Sequence, residues 1–139
     1  MSGRPPRRRT EGGLPRVARL RRRAEFEAVY ATGDKLVEAR VVAFVVRAAD
    51  RASGCRLGLS VGRRVGNSPT RNRVKRVLRD AFRKLAPHCP EPLDLVLVAR
   101  PGKAPATAAE AHESLSRVLD RWCVAHRKGK GGAIWIVVR

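Results

Sequence analysis

The apolar positions of the chain fall into short runs whose spacing sorts them into helices and strands. The first ordered piece begins near Leu20. Phe26, Val29 and Tyr30 stand at i, i+3 and i+4, one face of a short helix that follows Arg21, Arg22 and Arg23 and stops at Gly33-Asp34. Residues 36–47 are Val-rich with few breakers and predict one long, largely buried strand. After a polar turn, Leu57, Leu59 and Val61 alternate with Arg56, Gly58 and Ser60, which predicts a strand with one apolar face. Ser68-Pro69 then opens the strongest helix, with Ser at the N-cap and Pro at the first helical position. Val74, Val77, Leu78, Ala81, Phe82 and Leu85 form its unbroken apolar stripe, and Pro87 ends it.

The rest of the chain continues the alternation. LDLVLVA at 93–99 predicts a strand. Thr107 with Glu110 forms a capping box for a helix carrying Ala111, Leu115, Val118, Leu119 and Trp122 on one face. A basic, Gly-rich turn leads to a last strand at 133–138. The predicted order is α-β-β-α-β-α-β: a two-layer α/β (α+β) sandwich, one mostly central sheet with helices packed on it. Residues 1–16 hold Gly, Pro and five Arg without periodicity and read as a flexible basic arm; 17–139 read as one domain. Trp122 and Trp135 are expected in the core. Phe26 suits either core packing or a stacking surface, Phe44 either core or cleft, and Tyr30, with its polar tip, should be reachable.

Charge changes this picture more than size does. Of 139 residues, 25 are Arg and 6 are Lys, and the formal net charge is +19. Such a surplus repels itself in a compact domain and calls for a polyanion, and the Arg excess favours phosphate, which the guanidinium fork bonds in two places. No apolar run approaches the ~20 residues of a membrane span, so no membrane association is expected. No apolar region follows the basic N-terminus, so a secretory signal is not expected either. Three cysteines, Cys55, Cys89 and Cys123, with no CxxC pair read as thiols in a reducing compartment. Their regular 34-residue spacing is coincidence, because the flanking sequences do not match. A zinc site with His88, His112 or His126 lacks ligand-pair spacing, so no metal site is expected.

The informative stretch is residues 62–82, GRRVGNSPTRNRVKRVLRDAF. On a helix from Pro69, Asn72, Arg76, Arg79 and Arg83 point away from the apolar stripe, and Arg73 and Lys75 lie on its flanks. Arg63, Arg64 and Asn67 precede the helix in a Gly-containing loop, beside the N–H groups and positive dipole end that favour phosphate. A solvated helix normally mixes charge signs for i,i+4 pairing, whereas this one sets Asp80 alone against seven cations. Nucleic-acid contact is the reading that compensates the repulsion.

Arg71-Asn72-Arg73-Val74-Lys75-Arg76, with Arg79 and Ala81-Phe82, resembles the RNR signature of the protein subunit of bacterial ribonuclease P. Gly58-Leu59-Ser60-Val61 resembles that family's G-L-S-V strand. Arg63, Val65, Gly66 and Asn67 resemble its K-K-x-G-N loop, with Arg64 where Lys is common. Leu20-Arg21 with Phe26, Val29 and Tyr30 resembles its first helix. The motifs run from Leu20 to Phe82; beyond them only the element order agrees.

The resemblance implies a ribosomal-protein-like sandwich with a left-handed βαβ crossover. It implies a cytoplasmic protein, monomeric in a one-to-one complex with ribonuclease P RNA. That RNA would be the catalyst, removing the 5′ leader of precursor tRNA with bound Mg²⁺, and the chain would hold no catalytic residue. By position, Arg63, Arg64, Asn67, Arg71, Asn72, Arg73, Lys75, Arg76 and Arg79 would meet RNA. Phe26, Tyr30, Phe44, Arg47, Lys75 and Arg79 would border the leader cleft between the first helix and the sheet; the family usually has an aromatic where Arg47 stands.

Other functions fit less well. The Asp residues are too widely spread for metal-dependent hydrolysis by the protein itself. A structural RNA binder such as a ribosomal protein matches the charge and size, and the RNR motif with its approach is what separates the two. A DNA-reading helix would need residues chosen for base edges, and the positive face is too uniform for that.

Overall fold

The computed structural model describes residues 18–48, 54–89 and 91–126. The helices are α1 (Arg23–Thr32), α2 (Ser68–Leu85) and α3 (Ala108–Ala125), and the strands β1 (Asp34–Val37), β2 (Val41–Arg47), β3 (Arg56–Ser60) and β4 (Leu93–Ala99). Short 3₁₀ turns at Arg63–Val65 and Ala86–His88 flank α2. The strands form one sheet in the order β1-β2-β4-β3. β1 and β4 pair antiparallel with β2, and β3 runs parallel to β4, so α2 is the crossover that parallel neighbours require. The predicted last strand at 133–138, Trp135 and the 1–16 arm lie outside the described residues.

Strand parity divides the hydrophobic residues between two faces. Val41, Ala43 and Val45 of β2 with Leu93, Leu95 and Leu97 of β4 meet Val74, Leu78 and Phe82 of α2 and Leu115, Val118 and Trp122 of α3 in the main core. Each buried Val, Leu or Phe among them contributes roughly 1.5–3 kcal/mol. On the opposite face α1 lies across the sheet, where Leu20, Val29 and Val96 are buried with Phe26, Phe44, Val46 and Val98 packed on them. The sheet therefore carries α2 and α3 on one face and α1 on the other. Among the described residues, no helix is long and apolar enough to cross a membrane.

Two local expectations are corrected. The single strand expected at 36–47 is a hairpin, broken at residues 38–40. There the backbone N–H of Arg40 donates to the Glu38 carboxylate at 2.8 Å, and Arg100 reaches the Glu38 carbonyl at 2.9 Å. Secondly, the N-cap of α2 is Asn67, one residue earlier than expected: its Oδ1 accepts from the Thr70 N–H at 3.0 Å, and Ser68 and Pro69 are the first two helical residues. Gly66, just before this cap, has φ 158°, and a Cβ there would stand 2.8 Å from Thr70 Cγ2. Thr107 caps α3 as expected, accepting from the Glu110 N–H at 3.1 Å.

Candidate nucleic-acid interface

The polar side of α2 and the turn before it present the cations foreseen from the sequence. Arg63 and Arg64 are exposed on the 3₁₀ turn, Asn67 is exposed while capping the helix, and Asn72, Arg73 and Arg76 are exposed beyond it. Arg71 and Lys75 are half-buried, and Arg71 Nη2 donates to Ser68 Oγ at 3.0 Å. Asp80, the helix's acidic residue, is held by Arg83 at 2.8 Å and Lys84 at 3.3 Å. The negative charge is thus consumed at the C-terminal end. Among the described residues, Arg63, Arg64, Arg73, Lys75 and Arg76 have no ion-pair partner, so the unpaired positive charge runs from the turn before α2 through the first half of the helix, and the positive dipole end adds to it at the turn.

Arg79 is half-buried, and burial and then the neighbouring Arg19 lower its pKa. Two cations brought together in a partly desolvated place favour an anion between or over them. Arg19 was missed by the sequence reading, which began at Leu20. It forms a parallel bridge with Leu57, and the Leu20 N–H donates to the Leu57 carbonyl at 2.9 Å, so this segment lines the β3 edge of the sheet. Arg79, beside Arg19, therefore lies toward the β3 edge, and Lys75 stands one turn before it on α2.

On the α1 side the structure brings three aromatic residues together. The Phe26 and Tyr30 rings are 6.5 Å apart, and Tyr30 meets Phe44 edge-on at 4.9 Å. Tyr30 is 39% exposed, whereas Phe26 and Phe44 are half-buried. Phe26 lies against β3 at Gly58, where a Cβ would stand 2.7 Å from Phe26 Cζ. Beyond α1 the sheet face continues as a cross-strand row of Val37, Val42, Val98 and Ser60. None of these four is buried, and Val37 is 49% exposed. The result is a shallow apolar groove with an aromatic rim, and cations stand at its β3 edge.

Arg47 does not join this groove. It stands three residues from Phe44 on β2, so strand parity sends it to the opposite face. There it ion-pairs with Glu91, and its guanidinium lies 5.2 Å from the Trp122 ring centroid. Its expected place in the cleft is corrected accordingly.

Another arginine fixes α1. Arg56 holds Asp94 of β4 through Nε and Nη2 at 3.0 and 2.9 Å, and reaches Glu25 of α1 through Nη1 at 3.2 Å. The other Glu25 oxygen accepts the backbone N–H groups of Arg21 and Arg22 at 2.9 and 3.0 Å. These backbone bonds, with the Arg56 charge behind them, hold the Glu25 pKa below its ordinary 4.5. A depressed carboxylate stabilises the fold above its ordinary pKa and loses that contribution as pH falls through the lower folded value. Glu25→Gln should cost about 1 kcal/mol at neutral pH, as a lost cap does. In urea melts the gap to wild type should close below pH 4.5; a gap independent of pH would mean that the charge plays no part.

Several of the described carboxylates are engaged by basic side chains: Glu38 by Arg117, Glu110 and Glu113 by Arg40, Asp94 by Arg56 and Asp34 by His126. Among the described residues, no cluster of three or more His, Cys, Asp or Glu could hold a metal ion.

A basic α+β sandwich with a row of unpaired cations beside an aromatic-rimmed groove is a nucleic-acid-binding protein. The family model described as Ribonuclease P matches residues 14–123. The chain is 35% identical over 108 residues to the ribonuclease P protein component of Brevibacillus brevis, covering 78% of this chain and 85% of the relative. The ribonuclease P protein structure from Staphylococcus aureus is similar with TM-score 0.67 and 27% identity, over 76% of this chain and 94% of that one. That from Thermotoga maritima is similar with TM-score 0.65 and 27% identity, over 74% and 96%. The chain belongs to the ribonuclease P protein family, and is thus a protein component of a ribonucleoprotein that processes tRNA.

Proposed function

We propose that the chain is the cofactor of a catalytic RNA, working by charge and position and contributing no reacting group. The observation that carries this reading is the separation of two surfaces. The unpaired cations of α2 and its preceding turn suit a folded RNA backbone, whose phosphates they neutralise. The aromatic groove under α1 suits a single strand, which needs stacking faces beside positive charge. On this reading Arg63, Arg64, Asn67, Arg71, Asn72, Arg73 and Arg76 hold the RNA subunit. Phe26, Tyr30 and Phe44 hold the 5′ leader of precursor tRNA, and Lys75 and Arg79 serve both surfaces.

Magnesium does not fit the described residues, because no three of their His, Cys, Asp or Glu side chains cluster where they could hold it. We assign it to the RNA, which would carry the hydrolysis. One protein per RNA and a cytoplasmic setting complete the proposal.

The test is cleavage of a 5′-labelled precursor tRNA at low Mg²⁺ by the cognate RNA alone, by the protein alone and by both. Cleavage at the leader junction only in the combined reaction is expected. Cleavage by the protein alone, or no rescue despite tight RNA binding, overturns the cofactor role. In the same assay Tyr30→Ala should weaken precursor binding by roughly 5- to 100-fold, the worth of one stacked base, and leave mature tRNA unaffected. Equal losses for the two ligands would make Tyr30 a structural residue.

A further inference from the structure

The three cysteines, evenly spread along the sequence, converge in the fold. Cys55 immediately precedes β3, Cys89 follows the 3₁₀ turn after α2, and Cys123 lies on the core side of α3. The Cys89 thiol donates to the Glu91 carbonyl at 2.7 Å, and the Cys55 thiol reaches the same oxygen at 3.8 Å. One carbonyl oxygen thus stands within 4 Å of both sulfurs. Both are half-buried, whereas Cys123 is only 3% exposed. A small oxidant can therefore meet the first two but not the third.

We propose that Cys55 and Cys89 are a modification site, forming a reversible intramolecular disulfide by exchange with a low-molecular-weight disulfide of the glutathione class. The neighbouring Cys55 thiol, and then burial, push the Cys89 pKa up, so Cys89 keeps its proton while Cys55 attacks first. The Cys55 thiolate displaces one thiolate from the small disulfide and forms a mixed disulfide. Cys89, losing its proton, then attacks the Cys55 sulfur and releases the second thiolate. The two cysteine protons go to the two leaving thiolates. The protein pair is oxidised by two electrons, and the small disulfide is reduced to two thiols.

The bond closes a ring around a functionally loaded segment. Between Cys55 and Cys89 lie β3, the Arg63–Val65 turn, the Asn67 cap and the whole of α2, which together carry every proposed RNA-subunit contact. Since the fold already brings the two sulfurs together, the bond should form with little displacement. It should act chiefly by restricting the unfolded chain.

The test is incubation of the full chain, folded, with oxidised glutathione. Free thiols are then alkylated, the chain is digested, and the linked peptides are identified by mass. A Cys55–Cys89 peptide pair that disappears with dithiothreitol is expected, together with a rise of roughly 10 °C in melting temperature. Cys55→Ser and Cys89→Ser should lose both effects, and Cys123→Ser should keep both. Wild-type mapping decides the pairing even where a variant folds poorly. A glutathione adduct with no internal bond, a bond that uses Cys123, or three thiols still open to alkylation would each overturn the proposal.

Discussion

Arg73→Ala combined with Arg76→Ala should lower affinity for the RNA subunit by about 100-fold or more. Both side chains are exposed, and neither has an ion-pair partner among the described residues. A hydrogen bond to a charged group contributes roughly 1.5–3 kcal/mol, and every 1.4 kcal/mol is a factor of ten. The salt titration carries more information than the affinity itself. Each lost phosphate contact should flatten the slope of log affinity against log salt by about 0.7–0.9, so the double variant should lose about 1.5. Folding stability should hold or rise slightly, since removing the pair relieves like-charge repulsion along α2. Arg83→Ala is the control. Its guanidinium is held by Asp80 at 2.8 Å, and its loss should change RNA affinity by less than about threefold, the scale of a surface pair. Equal salt slopes for wild type and the double variant would remove α2 from the RNA interface.

The largest expected effect on folding is at Trp122. Trp122→Ala should cost about 4 kcal/mol, within the usual 3–5 kcal/mol for truncating a buried aromatic. The ring is 2% exposed, its Nε1 donates to Asp34 at 3.2 Å, and it stacks on His126 with centroids 4.3 Å apart. These contacts make it the bolt between α3 and β1, with Arg47 of β2 lying over it. A domain of this size is stable by roughly 5–15 kcal/mol, so the variant should approach the unfolding threshold. Trp122→Phe keeps most of the buried ring and should cost roughly 1–2 kcal/mol, about one hydrogen bond plus the lost volume. Urea unfolding of the three proteins separates the cases: equal midpoints would mean that α3 is not docked through this ring.

What could be read from the sequence depended on whether a signal was local. The α2 stripe was legible because Val74, Leu78, Ala81, Phe82 and Leu85 repeat at helical spacing, and all five are buried. The hairpin break was not, because Glu38-Ala39-Arg40 contains neither Gly nor Pro. That turn is held by the Glu38 carboxylate and by Arg100, more than sixty residues away. The α2 cap moved by one because Asn67 and Ser68 are both good caps, and it is the Asn67 side chain that accepts from the Thr70 N–H. Arg47 was placed by analogy, although its odd separation from Phe44 already put the two on opposite faces of a strand. The Arg56 link to Glu25 and Asp94, the Arg19–Arg79 pair and the meeting of the cysteines all depend on tertiary approach, which one-dimensional spacing does not encode. The aromatic groove was foreseen through family resemblance more than through physics, since Phe26 and Phe44 alone fitted a core equally well.

Gly58 and Phe26 share one volume, divided between a bare backbone on β3 and a ring on α1. A side chain can be added at 58 only if the ring at 26 yields space, so the two positions are coupled in any lineage or redesign that alters either. A larger residue at 58 with a smaller one at 26 would raise the floor under α1 and lower its rim, and the cations of α2 and the main core would stay as they are. The groove's depth is therefore an adjustable dimension of the fold, set by the apportioning of one ring's volume across a helix and a strand.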